Sequence, residues 1–168
     1  MDDYYAPHPR LTLPRPVIVT ALDFRPARQL VSRVGSRLGL NITHHPERVQ
    51  HLAGAGYDML LGGRERLVEL EQQALEYCLD DRPAALISLP GRLATASLSE
   101  RADLILLTHP PLSVPNPIDA AITMGVERDV PGLMKRLASL DAVRFHARPE
   151  KKATEILSAH LERLAGVG

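Results

Sequence analysis

The stretch Pro16-Val17-Ile18-Val19-Thr20-Ala21-Leu22-Asp23-Phe24-Arg25-Pro26-Ala27-Arg28 decides the fold. Its first half is a short apolar run rich in β-branched residues, the pattern of a strand buried on both faces of a parallel sheet. From Pro26 to Leu38, the apolar positions Leu30, Val31, Val34 and Leu38 recur at helical spacing, and Gly39 stops the run. A buried strand, a tight turn and a helix in this order make the frame of a phosphate-binding loop, Gly-x-x-x-x-Gly-Lys-Ser/Thr. Ala21 and Pro26 stand at its two Gly positions, Ala27 at the Lys and Arg28 at the Ser/Thr.

Each replacement removes a working part. Such a loop aims successive backbone N–H groups at phosphate, with glycines permitting the backbone path and the helix N-terminus adding partial positive charge. Pro26 has no N–H and fixes its own φ. Ala27 cannot reach a phosphate, and Arg28 carries no hydroxyl for Mg²⁺. Asp23 is placed to cap the helix and would repel a polyphosphate. The turn therefore predicts no phosphoryl transfer, no catalytic residue, and neither nucleotide nor metal as a cofactor.

The 168 residues, 45% of them apolar, suit a single domain. Residues 1–15, punctuated by Pro7, Pro9 and Pro14, read as an extended lead-in, and residues 16–168 as one α/β domain. Twenty basic and twenty acidic side chains cancel, which leaves no global footprint for nucleic acid or an acidic membrane. One cysteine, Cys78, excludes an internal disulfide framework. No apolar run reaches the roughly 18 residues of a membrane span, and no secretory leader opens the chain. The expectation is a cytoplasmic protein with no membrane partner.

Beyond the first helix, the pattern predicts a short strand at 40–43, a helix over 47–53 ended by Gly54, and an amphipathic helix over about 63–80. Strands follow at 84–89 and 104–107, with a short helix near 97–102 between them. A helix over 131–139, a strand at 142–145 and a last helix starting near Pro149 complete the series. Alternating strands and helices imply a three-layer α/β sandwich around a mostly parallel five-stranded sheet. Pro110, Pro111, Pro115 and Pro117 make residues 108–128 an irregular connection.

Taken in order, these elements resemble shikimate kinase, a small P-loop kinase of the nucleoside monophosphate kinase type, over residues 16–165. Three stretches carry the likeness. Arg33-Val34-Gly35-Ser36-Arg37-Leu38-Gly39-Leu40 resembles the helix after the family's loop, with its Leu-Gly-Leu type ending. Gly63-Arg64-Glu65-Arg66-Leu67-Val68-Glu69-Leu70-Glu71 is similar to the family's Gly-Glu-x-x-Phe-Arg-x-x-Glu block. The third stretch is the finishing strand and helix from Ala142 through Arg163.

The resemblance also implies where function would lie, and this chain departs from the family there. The family's paired aspartates, for Mg²⁺ and substrate hydroxyls, fall on His44 and Pro46. Its substrate-binding Arg falls on Val68. Its Gly-Gly-Gly turn falls on Leu89-Pro90-Gly91, and its lid Arg-Pro-Leu has no counterpart between Pro110 and Asp129. The resemblance therefore implies a pseudoenzyme that keeps the scaffold and works as a binding or regulatory module. Its ligand would be a protein partner or a small anionic metabolite.

Arg25, Arg28, Arg92 and His109 all fall at the carboxyl edge of the predicted sheet, where open α/β folds bind ligands. Guanidinium forks there suit a carboxylate or phosphate, or pair with nearby acids such as Asp23. His44, His45 and His51 are a weak metal cluster, because adjacent histidines on an extended segment diverge. Cys78 sits on an apolar helix face and reads as core. Two further readings stand beside the binding module. One is an enzyme with altered chemistry around the same arginines and His109, or a residual small-molecule kinase. The other is a homodimer joined through the Tyr4-Tyr5 arm.

Overall fold

The computed structural model describes residues 11–54, 63–80, 83–108 and 130–166. Five strands form one sheet: β1 (Val17–Ala21), β2 (Ile42–His44), β3 (Leu86–Pro90), β4 (Asp103–Thr108) and β5 (Val143–His146). Their spatial order is β2-β3-β1-β4-β5, and every pairing is parallel. β1 lies in the centre, with Ala21 level with Pro90 of β3 on one side and Leu107 of β4 on the other. All five of its residues are buried, as its unbroken apolar run requires.

Among the described residues, five helices cover the sheet: α1 (Phe24–Leu38), α2 (His45–Ala53), α3 (Gly63–Asp80), α4 (Val130–Ala138) and α5 (Glu150–Leu164). α1 and α5 pack on one face, where Leu30, Val31, Val34, Leu157 and Leu161 meet Val17, Val19, Leu86, Ile105 and Leu107. Leu75, Cys78 and Leu79 of α3 and Leu133 and Leu137 of α4 close the other face over Ile18, Ile87, Leu89, Leu104 and Leu106. The alternation of residues along β1 between these two clusters is the two-residue period of a strand. Cys78 is thus a core residue. α2 packs on α3 through Val49, Ala53, Leu70 and Ala74. From the N-terminal segment, Leu13 is buried against the first cluster.

Two glycines are set by close approach. A Cβ on Gly35 of α1 would stand 2.1 Å from Cγ2 of Ile42, so Gly lets α1 lie against β2 with the Ile42 side chain in place. A Cβ on Gly91, just after β3, would stand 2.4 Å from the carbonyl oxygen of Ala21. That contact brings the turn after β3 onto the end of β1. Gly39 ends α1 in the left-handed conformation, with φ 66°, and its N–H bonds the Gly35 carbonyl.

The strand ends shift by one or two residues from the sequence reading, and three helical boundaries differ in a way that has a physical reason. α1 begins at Phe24, two residues before Pro26. α2 begins at His45 and takes up the whole His45-Pro46 step. The helix expected near 97–102 is a 3-10 segment, Ala96–Glu100, preceded by a 3-10 turn at Gly91–Leu93. Among the described residues, no helix is long and apolar enough to cross a membrane.

Candidate functional site

Only Leu22 and Asp23 separate β1 from α1. The reason lies in the next residues. Asp23 is extended, with φ −95° and ψ 118°, and its Oδ1 accepts the N–H of Arg25 at 3.0 Å, which caps the helix. Pro26 then takes the third helical position, where its missing N–H costs no intrahelical bond and its fixed φ suits the helix. Asp23 and Pro26 together start the helix early, and a carboxylate rather than an open cradle faces its first turn. The Arg25 guanidinium folds back to within 3.4 Å of the same carboxylate.

The three described arginines among the sequence-selected residues have different surroundings. Arg25 and Arg28 stand on the first turns of α1. Arg28 forms an exposed ion pair with Glu47 of α2. Arg92 follows β3 and makes a two-pronged contact with Glu71 of α3: Nη1 lies 3.0 Å from Oε1, and Nη2 contacts Oε2. The Arg92 and Glu71 side chains are only 6% and 5% exposed. His109 lies outside the described residues, as do the Tyr4-Tyr5 arm and residues 109–129 of the Pro-rich connection.

Beside that buried pair sits His45, whose Nε2 lies 2.9 Å from the Glu71 carbonyl. A carbonyl only accepts, so Nε2 carries the proton. His45 is fully buried and its pKa is pushed down chiefly by that burial, which keeps it neutral. Among the described residues, its Nδ1 has no hydrogen-bond partner. The neighbouring His44 turns elsewhere: Nδ1 is 2.6 Å from Ser88 Oγ and Nε2 is 3.1 Å from Ser32 Oγ. Burial, then the charge of Arg28, lowers its pKa as well. The two rings diverge, and no group of three metal-ligating side chains is found among the described residues. Val68 is 47% exposed.

An open groove of about 410 Å³ runs over α1, lined by Arg28, Gln29, Ser32, Arg33 and Glu150. Arg33 Nε donates to Thr154 Oγ1 at 3.1 Å, and Glu150 lies 3.6 Å from its Nη1. Sequence reasoning passed over Ser32, Arg33, Glu71 and Ser88. The usable signal was Ser88, a hydroxyl inside the apolar run Leu86-Ile87-Ser88-Leu89, which needs a buried partner. Ser32 and Arg33 look like any solvated helix face until α5 packs alongside.

No family model matches the sequence, and neither does any curated protein. The structure does have solved neighbours. It is similar to shikimate kinase from Aquifex aeolicus vf5, with 14% identity, a TM-score of 0.62, and coverage of 88% of this chain and 96% of that one. It is also similar to shikimate kinase from Bacteroides thetaiotaomicron, with 11% identity, a TM-score of 0.64, and coverage of 91% and 99%. The strand order, the all-parallel sheet and the near-complete coverage agree: this chain has the shikimate kinase-like P-loop kinase fold.

Proposed function

We propose that this is a cytoplasmic, catalytically inactive relative of the shikimate kinases, which uses the scaffold to bind a small anionic metabolite or a protein partner. The observation that carries the reading is the two-residue connection between β1 and α1, closed by the Asp23 carboxylate on the Arg25 N–H. Phosphate at that point would replace a capping hydrogen bond and meet a like charge. Lys and Ser/Thr are absent from the loop, so no side chain supplies the ammonium or the Mg²⁺-anchoring hydroxyl. The same reading assigns anion recognition to the sheet edge that bears Arg25, Arg28, Arg92 and His109. Of the three described arginines, Arg28 is the one whose carboxylate partner is an exposed, exchangeable surface group.

The test is a phosphoryl-transfer assay with MgATP and shikimate on the full chain, paired with calorimetric titration of MgATP. The expected result is no product and no saturable heat. Micromolar nucleotide binding with turnover would overturn the reading.

A further inference from the structure

The groove over α1 contains a chain of hydrogen bonds whose direction can be worked out from what each atom is able to do. Ser88 is fully buried and His44 is its hydrogen-bond partner. A buried hydroxyl that donates to nothing is costly, so Ser88 O–H donates to His44 Nδ1. The imidazole is kept neutral, so its proton sits on Nε2 and is donated to Ser32 Oγ. Ser32 is then an acceptor within the protein, and its own hydroxyl proton remains for something else. It does not bond back to the carbonyl of its own helix, unlike Thr154, whose Oγ1 donates to the Glu150 carbonyl at 2.8 Å. Ser32 lines the groove, so the polarised O–H at the end of the chain is offered there.

Two guanidiniums flank this hydroxyl. Thr154 spends its proton on Glu150, so its oxygen accepts from Arg33 Nε and fixes that side chain. Among the described residues, the Arg33 terminal nitrogens have only the ion pair to Glu150, too long for a hydrogen bond. Arg28 uses one nitrogen on Glu47. Glu47 and Glu150 are 52% and 56% exposed, so neither pair is held by burial and both can give way to a ligand.

We propose that this groove is a binding site for a small hydroxylated oxyanion, a phosphate monoester or a carboxylate, held by Arg28, Arg33 and the Ser32 hydroxyl, with Glu150 accepting from a ligand hydroxyl. The site deepens the binding-module reading and rests on it for its role. His44 and Ser88 are positioning residues, since they act through Ser32. The volume suits a ligand of metabolite size.

The test is a titration of isotope-labelled full chain with glycerol 3-phosphate, glycerate and uncharged glycerol, followed by amide shifts. One or both oxyanions should give saturable shifts centred on residues 28–33 and 150–154, and glycerol should give none. The phosphate and carboxylate arms separate the two chemistries. Ser32→Ala should weaken binding about tenfold, the scale of a hydrogen bond to a charged group, and Arg33→Met should weaken it further. Unchanged melting of both variants separates lost contact from lost fold. Absence of saturable shifts in the native chain, or shifts indifferent to Ser32→Ala and Arg33→Met, overturns the site. MgATP added to the same sample separates the two claims: binding at the β1–α1 turn sinks the inactive reading and leaves the groove, whereas silence toward all ligands sinks only the groove.

Discussion

Arg92 with Glu71, and Arg28 with Glu47, are the same chemical pair in two settings. The first is sealed between α3 and the turn after β3, at 6% and 5% exposure; the second spans α1 and α2 in water, at 44% and 52%. Burial changes what the pair does. In the sealed setting, each charge has been stripped of water and, among the described residues, has its partner to replace it, so neither can readily leave. In the open setting, water substitutes for either partner at little cost. The molecule therefore holds one arginine as a fastener and leaves another in an exchangeable surface pair, and exposure rather than residue type makes the division.

Breaking the buried pair should have the largest effect. Glu71→Ala leaves the Arg92 charge uncompensated and should lower unfolding free energy by about 3–5 kcal/mol in chemical denaturation. Replacing both residues with apolar ones of similar volume should recover much of that loss. A loss below about 1 kcal/mol for Glu71→Ala would mean that the pair is hydrated after all.

Gly91→Ala comes next. Its Cβ would overlap the Ala21 carbonyl, which is backbone and cannot swing aside, so a cost of about 1–3 kcal/mol is expected from thermal or urea unfolding. A neutral result would show that the turn after β3 does not press on β1.

Acidification sharpens the comparison from the histidine side. His44 and His45 are both held below the ordinary value of 6.5 in the fold, chiefly by burial. The unfolded chain then binds more protons, so their contribution is complete above about pH 6.5 and is lost as pH falls through the folded values. The urea midpoint should drop on acidification across this window, and His45→Gln should flatten the drop. A midpoint insensitive to pH in the native chain would contradict the buried, neutral imidazoles.

The open pair should respond least. Glu47→Ala should change stability by less than about 1 kcal/mol, with the residual effect fading as salt is raised. A larger loss would show that this pair, too, is structural.

The fold was legible because its signals are local and redundant. Val17–Ala21 is apolar at every position but Thr20, α3 shows its helical period from Leu67 to Leu79, and Gly39 and Gly54 stand where α1 and α2 end. Even Thr20 obeys the rule for a buried hydroxyl, donating to the Leu89 carbonyl at 2.8 Å. The start of α1 was read two residues late because Pro26 looks like a first helical residue, while the capping carboxylate sits three positions before it. The site was less legible because its parts are distant in sequence. Ser32, His44 and Ser88 are joined only when β2 and β3 pair and Gly35 lets α1 settle on Ile42. Likewise, nothing near Arg92 in sequence indicates that Glu71 will claim it.

The account rests on the turn between β1 and α1, and its most direct test is an amide-shift titration of that turn with MgATP. At millimolar nucleotide, the amides of Leu22, Asp23, Phe24 and Arg25 should hold their positions, because the Asp23 carboxylate already occupies the first turn of the helix. Saturable movement of those amides, with Asp23 released from the Arg25 N–H, would contradict it.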